Sequence, residues 1–230
     1  MDRILILKAG STHQQLKEQT GDFEDWIIRR SGLHQENFTI VPLNQKNLNL
    51  EVNSFRAVII TGSHDMITDH PPYLSTAFAL LHEIRKKQIP LLGICFGHQL
   101  LAQAFGGKVG DNPAGAEFGA VEIELCQSAG RDRLFAKFPQ KFKVFMSHRQ
   151  TVRRLPKVAR RLAKSALDQN AAFYLEPDIW GVQFHPEFDE EIMQYYLQNY
   201  FEVSEKHLPE FLSKTPIASS LIKHFLELKI

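Results

Sequence analysis

A chain of 230 residues, 43% hydrophobic and 23% charged, is long enough to bury a sizeable core and ordinary in composition for a globular protein. A formal net charge of +1 gives no reason to expect nucleic acid or an anionic membrane as partner, and no apolar run approaches the ~20 residues that span a bilayer. Residues 1–200 read as one large α/β domain and residues 201–230 as a helical extension packed on it or docking beside it.

The N-terminus, Met1 to Lys8, is too short an apolar run for a signal peptide and opens directly into a strand. With two cysteines only, Cys95 and Cys126, reduced thiols in a cytoplasmic protein are expected, Cys126 as a core residue. Arg3 to Leu7 read as a first buried strand. Leu16 to Arg30 read as one helical segment, marked by Trp26, Ile27 and Ile28. Phe38 to Leu43 are a second strand, Asn44 to Asn53 a polar connection, and Phe55 to Thr61 a third strand ending in Gly62-Ser63-His64-Asp65. Pro71-Pro72 then open a helix over Tyr73 to Gln88. Strands alternating with helices predict a doubly wound, mostly parallel sheet with helices on both faces, whose sites lie at the carboxyl ends of the strands.

Ile89 to Ile94 form a short apolar run that meets Cys95, and a helix-period pattern with Leu100, Leu101, Ala104 and Phe105 on one face follows. Glycines two residues before and two after Cys95 make this the cysteine counterpart of a nucleophile elbow. A thiol at a helix N-terminus gains from the positive end of the helix dipole, and the backbone N–H of Phe96 points at the same spot as half of an oxyanion hole. A lone cysteine among apolar residues is more often a small buried hydrophobe; the glycines and the strand-to-helix switch favour the nucleophile. The Gly62-Ser63 turn is the candidate for the other half of the oxyanion hole, and it equally suits a plain turn with serine as a helix cap.

Phe105 to Val109 close that helix and start a strand. Asp111 to Gly119 read as a loop, Val121 to Leu125 as the start of an antiparallel region, and Phe142 to His148 as a strand. Arg153-Arg154 and Arg160-Arg161, without interleaved aromatics, read as a solvated face. Ile179 to Phe184 deliver His185, with Pro186 ending the strand and Glu187 two residues on. A histidine is the natural base for a thiol near neutral pH, and a carboxylate on its far nitrogen holds the tautomer. Beyond Asp189, the stretches Glu190–Tyr200, Ser204–Phe211 and Ile217–Leu228 read as helices, the first packing on the sheet.

Leu92 to Gln99 (LGICFGHQ) resemble the nucleophile motif of class I glutamine amidotransferases, nearest to the stand-alone branch related to the amidotransferase domain of GMP synthetase, and His185-Pro186-Glu187 resemble that family's second signature. The resemblance implies catalytic Cys95, His185 and Glu187; an oxyanion hole from Gly62, Ser63 and Phe96; and substrate contacts from Gln99, Ser147 and His148, with Glu117 near the substrate. Thr61-Gly62-Ser63-His64 departs from the family's usual Gly-Gly-Pro loop. Met146-Ser147-His148 match its Met-Ser-His segment, whose backbone holds the amino-acid end of glutamine, but Arg149-Gln150 replace the usual Gly-Asp. The reaction implied is release of ammonia from the glutamine side chain through a γ-glutamyl thioester, with no metal or cofactor. No P-loop or Ser-Gly-Gly-x-Asp pyrophosphatase loop occurs, so the expected partner is a separate ammonia-accepting synthetase chain. The alternatives are a stand-alone hydrolase of γ-glutamyl compounds and a catalytically silent binding or regulatory module.

Overall fold

The computed structural model describes residues 3–45, 48 and 50–228; Met1 and Asp2 ahead of the first strand, and part of the polar 44–53 connection, lie outside the described residues. In chain order the elements are β1 (Arg3–Lys8), α1 (Gln14–Thr20), α2 (Phe23–Ser31), β2 (Phe38–Pro42), β3 (Phe55–Ile60), α3 (Leu74–Lys86), β4 (Leu91–Ile94) and α4 (Phe96–Ala104). There follow β5 (Lys108–Asp111), β6 (Glu117–Leu125), β7 (Lys141–His148), β8 (Gln150–Arg154), β9 (Arg160–Lys164), β10 (Ala172–Leu175) and β11 (Ile179–Val182). The last elements are α5 (Glu190–Asn199), α6 (Leu208–Phe211), α7 (Pro216–Ser219) and α8 (Leu221–Glu227).

The central sheet has strand order β2-β1-β3-β4-β11-β10-β9-β6-β7, while β5 and β8 pair in a separate ribbon. The half from β2 to β11 is parallel, as the alternation of strands and helices predicts; from β11 through β10, β9 and β6 to β7 every pairing is antiparallel.

Side-chain alternation on the strands builds two cores, one on each face. Ile4 and Ile6 of β1 pack with Ile27 and Ile28 of α2 and with Leu221, Ile222 and Phe225 of α8. Leu5 and Leu7, pointing the other way, pack with Leu80, Leu81 and Ile84 of α3 and Leu100 and Leu101 of α4. Each fully buried side chain of this kind stabilises the fold by ~1.5–3 kcal/mol, so a one-residue slip in β1 would forfeit both cores at once.

Four local expectations are corrected. The Leu16–Arg30 segment is two helices: Gly21 takes φ 88° and Asp22 caps α2 in a capping box with Asp25, which stops α1 and restarts the chain in a new direction. The C-terminal stretches are likewise shorter helices than their apolar patterns suggest, with α7 and α8 separated at Ser220. β6 begins at Glu117, inside the stretch read as a loop, because its first residues pair with the end of β7. Cys126 is half-buried just past β6, not a core residue, and desolvation raises its thiol pKa.

Candidate active site

Three neighbouring parallel strands, β3, β4 and β11, end side by side, and the residues that follow them form the site. Gly62 and Ser63 come after β3, Cys95 after β4 and His185 after β11. The Cys95 amide donates to the Val182 carbonyl at 2.8 Å and the His185 amide to the Phe145 carbonyl at 2.8 Å, so both segments are pinned by the backbone before any side chain is considered.

Cys95 sits at the N-terminus of α4 with φ 51° and ψ −101°, a conformation that a residue with a Cβ adopts only when its surroundings impose it. The chain is tightly packed around it, with β4 against the first turn of α4 and that turn against the end of β3. A Cβ on Gly93 would lie 2.5 Å from the Gly97 carbonyl oxygen, and one on Gly97 would lie 2.8 Å from the Ile60 carbonyl oxygen. The first N–H groups of a helix have no intrahelical acceptor, and Phe96 opens α4 immediately after the thiol.

His185 Nδ1 lies 2.7 Å from Glu187 Oε1, both side chains being buried. An Nδ1–H donated to the carboxylate leaves Nε2 as the nitrogen for the sulfur. Burial alone would push the His185 pKa down; the negative charges of Glu187 and of Cys95 as thiolate, with hydrogen bonds to both, reverse that and push it up to about 10. The ring is clamped by Phe188, stacked at 4.0 Å, and Arg30 of α2 grips the same segment by donating to the carbonyl oxygens of Phe188 (3.0 Å) and Glu187 (3.4 Å).

Ser63, Cys95, Phe96, Gln99, Ser147, His148 and His185 line one pocket. Glu187 stands behind His185, and Gly62 faces the His185 ring, where a Cβ would come within 3.2 Å of Cε1. The Ser63 hydroxyl accepts from the Asp65 amide at 3.0 Å, the contact of a turn cap, and this leaves its O–H as well as its backbone N–H free to donate. Gln99 Nε2 donates to the Gln150 carbonyl (2.9 Å) and to Gln183 Oε1 (3.0 Å), bracing the pocket wall. Both ring nitrogens of His148 are engaged by protein atoms, Nδ1 2.9 Å from the Gln150 carbonyl and Nε2 3.2 Å from Glu117 Oε2. Glu117, expected near the substrate, is instead a buried partner of His148 and Ser165, because β6 pairs it directly with His148 across the ladder.

Four contributors were not singled out in the sequence. Gln183 stands just ahead of the second motif and donates to Cys95 Sγ at 3.5 Å; its place two residues before His185 was the available signal. His64 lines the pocket, with Nε2 3.0 Å from Tyr196 OH, and burial together with the charges of His13 and His185 lowers its pKa to about 4. Tyr196 and Tyr200 close the same pocket from α5 and its end, a contact that no local pattern announces.

Residues 16–203 match the family described as glutamine amidotransferase class-I. GMP synthase (glutamine-hydrolyzing) of Petrotoga mobilis is 30% identical over 81% of this chain and 33% of its own length. A Pyrococcus abyssi protein, named as one subunit of a glutamine-hydrolyzing GMP synthase, is 42% identical over 47% of this chain and 56% of its own. The chain thus spans from a third to just over half the length of these curated relatives. Among solved structures, a glutamine amidotransferase from Thermotoga maritima superposes with a TM-score of 0.73 at 23% identity, covering 99% of this chain and 100% of that one. A glutamine amidotransferase from Methylobacillus flagellatus gives 0.72 at 20% identity, over 99% and 92%. At these identities the likeness is one of fold.

Proposed function

The chain belongs to the class I glutamine amidotransferase family, and we propose that it hydrolyses the side-chain carboxamide of glutamine through a thioester on Cys95 and hands the ammonia to a separate acceptor chain. The observation that carries this reading is the Cys95 elbow at φ 51° facing a pocket shared with His185, whose Nδ1 is held by Glu187 at 2.7 Å.

The chemistry follows from those positions. His185 takes the Cys95 proton, and the sulfur attacks the carboxamide carbon. The oxygen, now anionic, meets the Phe96 N–H and the backbone of the Gly62-Ser63 turn. As the C–N bond breaks, the imidazolium returns its proton to the leaving nitrogen, which departs as ammonia. A water that loses its proton to His185 attacks the thioester, the C–S bond breaks, glutamate leaves and the proton goes back to the sulfur. Glu187 stabilises the imidazolium in both halves. The Pyrococcus abyssi relative, by name one part of a synthase with more than one chain, supports an acceptor on another chain.

Ammonia and glutamate release by the purified protein, beside Cys95→Ala, tests the proposal. Equal amounts of both from glutamine, lost in the variant, are expected. Turnover restricted to γ-glutamyl peptides would move the protein to the γ-glutamyl hydrolase reading, and wild-type turnover in Cys95→Ala would sink both.

A further inference from the structure

The turn Arg149-Gln150, where the chain leaves its family's pattern, carries chemistry that the reaction at Cys95 does not use. Gln150 is buried and lines the pocket. Its Nε2 lies 3.1 Å from Asp111 Oδ1 and 2.6 Å from Thr68 Oγ1. A carboxylate oxygen only accepts, so the NH2 group must face Asp111 and the carbonyl end is fixed on the other side. That Oε1 is buried with no partner among the described residues. A buried acceptor left open beside a pocket calls for a donor from a ligand.

The neighbouring Arg149 side chain is exposed at the rim of the same pocket. Its guanidinium lies over the rings of Tyr200, at 5.3 Å, and Phe201, at 5.6 Å, which hold it without consuming its N–H donors. The turn itself is set by its backbone: the Arg149 carbonyl accepts from the Asn112 amide at 2.9 Å, and the Gln150 carbonyl from Gln99 Nε2 and His148 Nδ1, each at 2.9 Å. An open acceptor and a preorganised cation therefore sit one residue apart on a rigid turn.

We propose that Arg149 and Gln150 read the amino-acid end of the substrate, the Arg149 guanidinium pairing with the α-carboxylate and Gln150 Oε1 accepting from the α-ammonium. The inference rests on the acyl-transfer reading of Cys95, but not on the identity of the leaving group. Glutamine and γ-glutamyl compounds both keep a free α-amino and α-carboxylate group. The selection is against substrates that lack them, such as N-acylated glutamine, glutamine α-amide or a glutamine inside a peptide chain.

Alkylation of Cys95 provides a test that needs no partner chain. The probes are a diazoketone analogue of glutamine, which carries the amino-acid end, and iodoacetamide, which does not. In Arg149→Met the diazoketone should react about 10- to 100-fold more slowly, the worth of a hydrogen-bonded charge pair, with the iodoacetamide rate unchanged. An α-amide version of the diazoketone should react equally slowly with wild type and Arg149→Met. Gln150→Met should slow the diazoketone and leave its N-acetyl derivative unaffected. An unchanged diazoketone rate in Arg149→Met, or equal slowing of both reagents, overturns the inference. A wild-type protein that iodoacetamide labels and the diazoketone does not would overturn the functional reading as well.

Discussion

The side-chain amide of Gln183 stands 3.5 Å from the sulfur of Cys95 and donates to it, while its oxygen accepts from Gln99 Nε2 at 3.0 Å. The orientation is forced along the chain of contacts. Gln99 Nε2 also reaches the Gln150 backbone carbonyl, which can only accept, so Gln99 turns its NH2 towards Gln183 and Gln183 turns its own towards the sulfur. The Cys95 sulfur thus has a donor beside it, a contact that strengthens as the sulfur takes on charge.

Removing that donor should cost the thiolate one charge-assisted hydrogen bond, ~1.5 kcal/mol or roughly tenfold. Gln183→Met is therefore expected to lower the rate of Cys95 alkylation by iodoacetamide at neutral pH about tenfold. The rate is measured with Cys126→Ser as background, so that only one thiol reports. An unchanged rate would show that Gln183 does not support the thiolate.

The His185 pair gives a pH dependence with a definite sign. The imidazole pKa rises from 6.5 to about 10 on folding, so its pairing with Glu187 stabilises the protein fully below pH 6.5 and is lost as pH climbs through about 10. Urea unfolding of wild type and Glu187→Gln should show a stability gap that is widest near pH 6 and narrows towards pH 10. A gap independent of pH would contradict the assignment.

Asp22 should behave in the opposite sense. It bonds the backbone amides of Thr12 (2.8 Å) and Phe23 (2.9 Å) and the ammonium of Lys8 (2.7 Å). Burial alone would raise its pKa, but these contacts lower it from 3.8 to about 2. Its contribution is present above pH 3.8 and lost as pH falls through about 2. Asp22→Asn keeps a capping oxygen but sets an amide NH2 against the Lys8 ammonium, and it is predicted to destabilise the protein at pH 7 by about 2 kcal/mol, the worth of a charged hydrogen bond, with a smaller difference at pH 3. Chemical denaturation at the two pH values decides it.

The elbow tolerates no added carbon where β4 crosses α4. With backbone at 2.5 Å and Leu101 Cδ1 at 2.6 Å from the new Cβ, Gly93→Ala should destabilise by roughly 3 kcal/mol, the upper range for overpacking. Gly115→Ala, where a Cβ would meet nothing within 4 Å but φ is 93°, should cost about 1 kcal/mol from backbone strain alone. Thermal melts of the two variants rank them, and equal melting temperatures would contradict the crossing as the source of the constraint.

The parallel half of the sheet was legible because its strands are continuous apolar runs, such as Ile4 to Leu7 and Val58 to Ile60, separated by helix-period segments. The sequence marked Cys95 by the glycines two residues to either side of it, and His185 and Glu187 by the proline between them at the end of an apolar run. The structure brings the three together because β4 and β11 are neighbours. What stayed hidden is long-range. The break at Gly21 and Asp22 competes with a helical pattern that runs through it, and Asp22 is held there by Lys8, fourteen residues away. Glu117 looked like a substrate contact until β6 paired it with His148. Arg149 is placed by Tyr200 and Phe201, which lie at the far end of the domain in sequence.

Covalent catalysis at Cys95 is best tested by quenching the protein in acid during turnover of glutamine and weighing its peptides. The expected product is an adduct of one γ-glutamyl group on the peptide that contains Cys95, absent from Cys95→Ala along with ammonia release. Ammonia release that continues in Cys95→Ala, or an adduct on any other residue, would contradict it.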